Sequence, residues 1–526
     1  MQKAIDVIRL VYRLFPFWAW TLAGFLGLHL PSLLLLPVFA DEAIYIHWAQ
    51  LIIDDAQRFA FFSMADGKPP LFIWLLSVVI RIFPDPLFAG RILSLLIGLA
   101  TVAVLARLTR QLTKRPWASI LTVVFVSVLP FWFFYHRVAL MDGLLVLCLA
   151  LSLLTAHQIA SITLRAKKIP YRIIPHLLLL ALFYGGALYT KTPALFAIPS
   201  LALAPMLAWA VESDLEQRRF GFKKFIESMV YVGIGGFLGG CLFFFLRISP
   251  LFGALFSRSQ DFTFTFFELL NGELDYVILE SLPRVIGWIA TYLTLPVFVL
   301  PFVGLFYGRH RKTIGVLLLQ ATLFALPLVG FGRVLWPRYF LPVVLFWTLA
   351  SVLSFETILT QTRTRLFGIV MIGLTLISSA LFIYPSLSNP ALIPFVPSDR
   401  TQYLTEWSAG YGNYEIAQFI RWRQSLLPTN SPTKIVVLTE GSFGTLPDGL
   451  TMYFQGVNAL PRIEIQGIGV SVPVIPQEYL SRANQDEVYY AVNSHRLGLT
   501  NQDNLTKLFE YKRPSPGPSL LFYQIH

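Results

Sequence analysis

The sequence has few cysteines and few charged residues for its length. Only two cysteines occur in 526 residues, and both Cys148 and Cys241 lie inside apolar runs. This excludes a disulfide framework and a thiol-rich metal site. Charged residues make up 13% of the chain and hydrophobic residues 56%, with a mean hydropathy of +0.64. Because a soluble domain carries about 25% charged residues, this composition indicates a polytopic membrane protein.

The sequence also lacks nucleotide-binding motifs. It contains no G-x-G-x-x-G fingerprint, no P-loop, and no zinc or Ser-His hydrolase signature. Its net charge of +12 is spread over short basic clusters between apolar runs. That distribution is typical of membrane topology signals and argues against nucleic-acid binding.

Long apolar runs predict about eleven membrane spans, because a bilayer core of about 30 Å needs roughly 20 apolar residues per helix. The first run is longer than a signal-peptide core, so we expect it to remain as an uncleaved membrane helix. The predicted spans are 14–39, 87–107, 116–135, 140–163, 173–189, 192–211, 228–246, 285–307, 314–331, 339–355 and 366–384.

Basic clusters on alternate connections predict the orientation of the chain. By the positive-inside rule these connections are cytoplasmic, so the N-terminus is inside and everything after the last span is outside. We therefore expect a multi-pass protein of the cytoplasmic (inner) membrane, embedded in the lipid bilayer. The clusters contain Lys3, Arg9 and Arg13; Arg107, Arg110, Lys114 and Arg115; Arg165, Lys167, Lys168 and Arg172; Arg218, Arg219, Lys223 and Lys224; Arg309, Arg311 and Lys312; and Arg363 and Arg365.

The outer connections differ in kind from the inner ones. Within the long connection of about 40–86, the apolar segment 71–80 is too short to span and is predicted to lie on the bilayer. A second long connection, about 247–284, contains "DFTFTFFELLNGELDY" and predicts another interfacial helix. Beyond residue 384, four short β-branched runs predict strands, with helical patterns between them. The runs are "TKIVVLTEG", "RIEIQGIGV", "DEVYYAVNS" and "SLLFYQIH". The sequence thus predicts a membrane domain over 1–384 and a small extracytoplasmic α/β domain over 385–526.

Ionisable side chains in the outer connections and at the outer ends of the spans are the candidate functional residues, since such groups are costly near a membrane unless paired or solvated. A carboxylate can accept a proton from a nucleophile or hold a divalent cation, and a cation can bind phosphate. Their grouping on one side favours a phosphate- or pyrophosphate-linked substrate over hydrolysis. The candidates are Asp41, Glu42, Lys68, Arg137, Asp142, Lys191, Arg333 and Arg338.

Each candidate also has a purely structural interpretation. Asp41 and Glu42, in "VFADEAIYIHWAQ", could cap the helix that follows them. Asp142, in "YHRVALMDGLL", could pair with Arg137 five residues earlier. Several of the cations could instead extend toward lipid headgroups; these are Lys68, Lys191 and Arg338.

Five motifs occur in an order that resembles a known family. They are "DEAIYIHWAQ", "GKPPLFIWLL", "HRVALMDGLL", "YTKTPALFAIP" and "RYFLPV", between about residues 40 and 342. In this order they resemble bacterial membrane glycosyltransferases of the GT-C fold, relatives of the dolichyl-phosphate-mannose protein mannosyltransferases and of the enzymes that transfer aminoarabinose to lipid A. The resemblance implies a polytopic α-helical GT-C-like fold. It also implies transfer of a hexose or pentose from a polyprenyl-monophosphate carrier to a protein or cell-envelope acceptor outside the membrane.

The resemblance further implies roles for the candidates. Asp41 would be the general base, and Glu42 would position the acceptor or assist the base. Asp142 would orient the site or bind a metal where one is used. The resemblance implies no particular cofactor, and a divalent metal, if one is used, would take Asp41 and Asp142 as ligands. The groups for the donor phosphate would be Lys68, Lys191, Arg333 and Arg338, with Arg137 and Tyr339 in support.

The sequence departs from the family pattern in two places. Gly67 stands where some aminoarabinose transferases have an acid that helps to bind zinc, which argues against a bound zinc and against lipid A as acceptor. The outer domain lacks the MIR-type repeats of eukaryotic protein mannosyltransferases.

Other functions stay open at this point. One is a lipid-linked oligosaccharide ligase or polymerase with a pyrophosphate donor. Another is a lipid-sugar transporter or flippase, which is disfavoured because the charges lie near one membrane face and not at the midplane. A membrane-anchored binding protein would not require Asp41 and Asp142 to share a cavity.

Overall fold

The computed structural model describes residues 17–166, 171–216, 221–257, 259–428, 431–500 and 502–526. The chain forms a bundle of apolar helices followed by a small domain built on a β-sheet. The start of the first predicted span lies outside the described residues, as do seven of the predicted topology cations. These are Lys3, Arg9, Arg13, Lys167, Lys168, Arg218 and Arg219.

Fifteen helices of the bundle position the site. Eight helices or helical segments in the described part of the chain are long and apolar enough to cross a membrane, or nine when one bent pair is counted as a span. The helices are α1 (Phe17–His29), α2 (Ala40–Asp54), α3 (Leu71–Val79), α4 (Pro86–Thr113), α5 (Pro116–Val128), α6 (Pro130–Tyr135), α7 (Met141–Arg165), α8 (Ile173–Thr190), α9 (Ala204–Glu216), α10 (Phe222–Phe244), α11 (Leu282–Leu293), α12 (Leu295–Phe306), α13 (Arg311–Phe331), α14 (Leu341–Thr360) and α15 (Arg365–Ser388).

The predicted count of eleven spans is not confirmed, because prolines interrupt several apolar runs. Helix α1 ends at His29, ten residues before the predicted end, and the segment that follows contains Pro31 and Pro37. The predicted span 116–135 breaks at Leu129, directly before Pro130. A proline lacks the amide hydrogen that a continuing helix needs, and it restricts the residue before it.

The outer connections also contain helices. The segment predicted to lie on the bilayer forms α3, which starts after Pro70. In the second predicted interfacial helix, helical turns begin at Phe266, are kinked at Asn271 and Gly272, and then lead into α11. A bend of 104° then separates α11 from α12, at Thr294, whose φ is +66°.

The most buried spans form the centre of the bundle. Helix α14 and the turn before it, together Pro337–Thr360, are the most enclosed, followed by α7 and α4. By contrast, α10 and α15 expose most of their apolar surface, as expected for helices that face lipid. The central helices carry Arg338, Asp142 and Arg91 near their first turns, so one end of the bundle core gathers the charged groups.

The C-terminal domain is built on a five-stranded mixed sheet with strand order β2-β1-β3-β5-β4. Strand β1 pairs in parallel with β2 and β3, whereas β5 pairs antiparallel with β3 and β4. All of β1 is buried, which explains its continuous apolar run. Four strands were predicted from the sequence and β4 was not. The strands are β1 (Ile435–Thr439), β2 (Ile463–Gly467), β3 (Glu487–Asn493), β4 (Leu505–Tyr511) and β5 (Leu520–Ile525), and helix α16 (Asn413–Leu426) precedes them.

The C-terminal domain contacts helix α2 of the bundle. His47 on α2 pairs with the buried Asp448, and the Gln50 side-chain amide donates to the carbonyl of Met452 at 2.7 Å. The amide of Gly410 donates to the carbonyl of Val38 at 2.8 Å. A Cβ at position 410 would lie 2.5 Å from the Val38 side chain, so only glycine permits this approach. The predicted division at residues 384 and 385 falls within α15, and that prediction stays open.

Candidate active site

Helix α2 places the two adjacent carboxylates of the first motif in different directions. Both lie in its first turn, and successive helix residues point about 100° apart because a turn holds 3.6 residues. Asp41 is not the helix cap, because the N-cap position is occupied by Phe39. The Glu42 carboxylate instead accepts a hydrogen bond from the Phe39 amide at 3.0 Å, which satisfies one free donor of the helix end.

Glu42 lies in a fully buried ion pair. Its carboxylate accepts from Arg91 Nε at 2.9 Å and from Arg91 Nη2 at 2.8 Å, and it also accepts from the Ala139 amide at 2.8 Å. Neither charged side chain is more than 1% exposed. The remaining donors of Arg91 bind the carbonyls of Leu33, Leu36 and Pro37. Glu42 therefore joins α2, α4 and the segment before α7, and its carboxylate has no exposed surface for an acceptor.

Asp41 pairs with Arg338 on the other side of α2. Arg338 Nη2 lies 2.9 Å from Asp41 Oδ2, and the Asp41 side chain is 23% exposed whereas that of Arg338 is 6% exposed. Arg338 Nη1 donates to Gln402 Oε1 at 2.9 Å and to the Tyr403 hydroxyl at 3.5 Å. The Asp41 carboxylate is thus partly exposed, whereas the Arg338 side chain is buried and fixed by Gln402 and Tyr403.

Asp142 pairs with Lys191 instead of Arg137. Lys191 Nζ lies 2.7 Å from Asp142 Oδ1, and the same ammonium lies 4.3 Å from the ring centre of Tyr339. The Arg338 guanidinium lies 5.5 Å from that ring. Tyr339 therefore lies between the two ion pairs, so the structure brings Asp41 and Asp142 into one cluster. The local Asp142–Arg137 pair considered from the sequence is wrong.

Lys68 approaches the cluster from the loop before α3. Its ammonium pairs with Asp66 at 2.7 Å, and it lies 5.2 Å from the ring centre of Trp48 and 5.4 Å from that of Tyr45, both on α2. The Lys68 side chain is about a quarter exposed. Such aromatic contacts fix an ammonium by cation–π attraction and leave its other donors for a ligand.

The cations determine the charge state of Asp41. Burial raises the pKa of this carboxyl, but the positive charges of Arg338, Lys68 and Lys191 outweigh that effect, and the pKa lies below its ordinary value. Asp41 is therefore ionised at neutral pH.

Two of the predicted residues make their contacts elsewhere. The Arg137 guanidinium donates to the carbonyls of Pro31 and Ser32 at 3.0 Å and also contacts that of His29. It fixes the irregular segment after α1. Arg333 pairs with Glu268 at 2.6 Å, and both side chains are more than 40% exposed. The structure places neither cation in contact with Asp41 or Asp142.

The segment after α15 supplies site residues that the sequence did not reveal. Gln402 and Tyr403 hold Arg338, and Asp399 anchors their segment because it accepts from the hydroxyls of Tyr135 at 2.6 Å and Tyr292 at 2.9 Å. Burial raises the pKa of Asp399 to about 6, although these hydrogen bonds lower it. No local pattern in the sequence indicates these roles, since the partners lie more than 60 residues away along the chain.

Arg91 is the exception, because its position carried a signal. It is a lone cation inside the apolar run of α4, and an ionisable residue at membrane depth implies a partner. The sequence did not indicate which acid that partner is.

The carboxylates of the cluster bind cations of the protein. In the described part of the chain, no three His, Cys, Asp or Glu side chains are grouped to hold a metal ion. Asp41 and Asp142 each use an oxygen for a cation of the protein. Magnesium is usually held by one or two carboxylates together with substrate phosphates and waters, so a divalent metal at Asp41 and Asp142 stays a prediction.

The chain resembles known proteins over part of its sequence and in its fold. Residues 67–238 match the family described as dolichyl-phosphate-mannose-protein mannosyltransferase. No curated protein sequence matches the chain.

Solved structures match over nearly the whole length. ArnT from Cupriavidus metallidurans bound to undecaprenyl phosphate is 14% identical, with a TM-score of 0.56, and the match covers 96% of this chain and 97% of that one. The same protein in the apo state is 15% identical, with a TM-score of 0.54 and coverage of 99% and 98%. Oligosaccharyltransferase AglB from Archaeoglobus fulgidus, with an inhibitory peptide and a dolichol-phosphate, is 11% identical, with a TM-score of 0.47 and coverage of 92% and 70%. The expected fold is thereby confirmed: this chain has the GT-C fold of membrane glycosyltransferases, with a mannosyltransferase family match over residues 67–238.

Proposed function

We propose that the chain transfers a hexose or pentose from a polyprenyl-monophosphate carrier to an acceptor on the outer face of the membrane, with Asp41 as general base. The observation that carries the proposal is the cluster at one end of the bundle core. It combines an ionised, partly exposed carboxylate with three cations suited to a phosphate. The likeness to ArnT, which was solved with undecaprenyl phosphate, supports the donor class.

The reaction needs one proton acceptor and one stabilised leaving group. The acceptor hydroxyl or amine attacks the anomeric carbon of the sugar, and its proton goes to Asp41. The bond between that carbon and the phosphate oxygen breaks, and its electron pair stays on the phosphate. Lys68, Lys191 and Arg338 would stabilise the added negative charge. Such preorganised charges supply the largest part of many rate enhancements.

Donor binding should also activate the base. In the free enzyme the three cations lower the pKa of Asp41, and a low pKa makes a weak base. A phosphate on Lys68 and Arg338 adds negative charge beside Asp41 and competes for its cation. The pKa of Asp41 then rises, so the carboxylate becomes more basic only when the donor is present.

The direct experiment is Asp41→Asn. The purified protein would be given a panel of polyprenyl-monophosphate hexoses and pentoses, and release of polyprenyl phosphate would be measured. We expect the variant to fold and to lose about 10²–10⁴-fold in kcat, the range for loss of a general base. Glu268→Gln is the matched control, because it removes an exposed acid whose contacts are an ion pair with Arg333 and local hydrogen bonds from Thr265.

Retained turnover in Asp41→Asn would reject Asp41 as base. Turnover of polyprenyl-pyrophosphate donors with none of the monophosphates would instead support a ligase or polymerase. The acceptor would be sought by mass spectrometry of cell-envelope glycans and proteins with and without active enzyme.

A further inference from the structure

A large cavity lies at the opposite end of the bundle from Asp41. Its volume is about 1080 Å³, above the range of about 300–1,000 Å³ for most small-molecule sites. Its walls come from α1, α4, α5, α7 and α8. Arg107 lies 16 residues beyond Arg91 on α4, which is about 24 Å along the helix. The cavity therefore takes no part in the chemistry proposed for Asp41.

One face of α4 gives the cavity its charge. Arg107, Arg110, Gln111 and Lys114 line it, and their spacing of three, four and seven residues places them on the same side of the helix. Like charges at this spacing destabilise a helix. Among the described residues that line the cavity there is no Asp or Glu to compensate them. The three cations are exposed, and a bound anion would relieve their mutual repulsion.

Arg115, the next cation along the chain, differs from the cations that line the cavity. The contrast shows that the cavity is more than a general excess of basic residues at one side of the membrane. Arg115 pairs with the buried Glu356 at 2.8 Å. Within the described chain, Arg107, Arg110 and Lys114 have no such acid partner. The lining residue Gln111 also has a buried side-chain oxygen with no hydrogen-bond donor. The cavity thus offers three cations for an anion and one acceptor for a hydroxyl or ammonium.

Most of the remaining lining is apolar and includes Val104, Leu151, Leu154 and Phe183. Its polar members are Ser119, Thr155 and Gln158; the hydroxyls of Ser119 and Thr155 already donate to the carbonyls of Ala106 and Leu151. A ligand that fits has an anionic headgroup with a hydrogen-bond donor, joined to long apolar chains. Basic pockets between membrane helices bind anionic lipid headgroups on this principle.

We propose that this cavity is a binding site for an anionic glycerophospholipid of the phosphatidylglycerol type. The phosphate would bind the cations of α4, a glycerol hydroxyl would donate to Gln111, and the acyl chains would fill the apolar part. The site is separate from the one that takes the polyprenyl-phosphate donor.

The test is lipid retention by the full-length protein in native mass spectrometry. Wild-type protein, Arg107→Gln/Arg110→Gln and the control Arg309→Gln/Arg311→Gln would be titrated with phosphatidylglycerol, phosphatidylcholine and polyprenyl phosphate. The control removes two cations that do not line the cavity. Each cation near a lipid surface contributes substantially to the binding free energy of an anionic lipid. We therefore expect Arg107→Gln/Arg110→Gln to bind phosphatidylglycerol at least about tenfold more weakly than wild type. The control should bind it like wild type.

Several results would overturn the proposal. Equal weakening by both double variants would indicate nonspecific attraction, and unchanged binding in the cavity variant would exclude the site. Displacement of phosphatidylglycerol by a stoichiometric amount of polyprenyl phosphate would assign the cavity to the donor. Absence of any retained phosphatidylglycerol on wild type would reject the proposal.

A second variant tests the apolar part independently of charge. Leu154→Trp fills the cavity next to the lining residue Thr155 and should also reduce phosphatidylglycerol retention. Unchanged retention in a folded Leu154→Trp protein would contradict insertion of acyl chains.

Discussion

Replacement of Glu42 by Gln tests whether this residue acts through structure or through chemistry. All four partners of its carboxylate are donors: two nitrogens of Arg91 and the amides of Phe39 and Ala139. A glutamine amide would direct its NH₂ group against some of these donors, and it would leave the Arg91 charge buried without a counterion. Removal of one partner of a buried ion pair costs about 3–5 kcal/mol.

That loss can be expressed as a melting temperature. With an unfolding entropy of about 2 cal/mol/K per residue over 526 residues, we expect the Tm of Glu42→Gln to fall by about 3–5 °C. The assay is thermal unfolding of the detergent-purified protein, followed by tryptophan fluorescence. The exposed pair Arg333–Glu268 provides the control, and Glu268→Gln should leave the Tm unchanged.

A double variant separates the charge from the other contacts. Glu42→Gln/Arg91→Met removes both charges, so it should recover part of the lost Tm, because an uncompensated cation is no longer buried. Recovery should be incomplete, since the amides of Phe39 and Ala139 still lack their full acceptor. A Glu42→Gln protein with wild-type Tm and no transfer activity would refute this reasoning and would place Glu42 in contact with the acceptor.

Two further predictions concern the cation beside the base. Burial raises the pKa of Asp41, but Arg338 and the other cations lower it below its ordinary value. Arg338→Gln removes one of these cations, so the acid limb of the pH profile of kcat/KM should move to higher pH. An acid limb at the wild-type pH would contradict the pairing of Asp41 with Arg338. Gln402→Leu leaves Nη1 of Arg338 with only the longer contact to Tyr403. It should raise the donor KM about tenfold with a smaller change in kcat, as expected for a loss of 1–3 kcal/mol. Gln402→Glu restores an acceptor for Arg338 and should reverse much of the rise in donor KM. Wild-type kinetics in Gln402→Leu would refute the role of Gln402 in positioning Arg338.

The sequence predicted the broad architecture because membrane helices and buried strands each appear as a continuous apolar run in the sequence. Apolar runs near 20 residues long revealed most of the membrane helices, and the buried strand β1 was visible as a β-branched run. The errors arose where a run was long enough for a span but contained proline, as around Pro31 and Pro130. Strand β4 was missed because its residues are mostly half-exposed or exposed, so it has little apolar signal.

The site was less predictable than the fold. The motifs predicted a set of candidate charged residues, and the structure brings four of them together, namely Asp41, Asp142, Lys191 and Arg338. Pairing depends on which helices pack side by side, and that is not encoded in any local window. For this reason the sequence left Asp142 with Arg137 as a possible partner, although a lysine 49 residues away takes that place.

The hold of Gln402 and Tyr403 on Arg338 has a consequence for how this protein can be recombined with its relatives. A chimera that is joined at the end of α15 would replace the native segment that contains Gln402 and Tyr403. Arg338 would then lose both of these hydrogen-bond partners. A segment that is exchanged with a relative should begin after Gly410, because Gly410 contacts Val38 of the membrane half closely. Residues 389–412 therefore belong, for engineering purposes, to the membrane half, and a replacement for the sheet and α16 must still provide partners for His47 and Gln50 of α2.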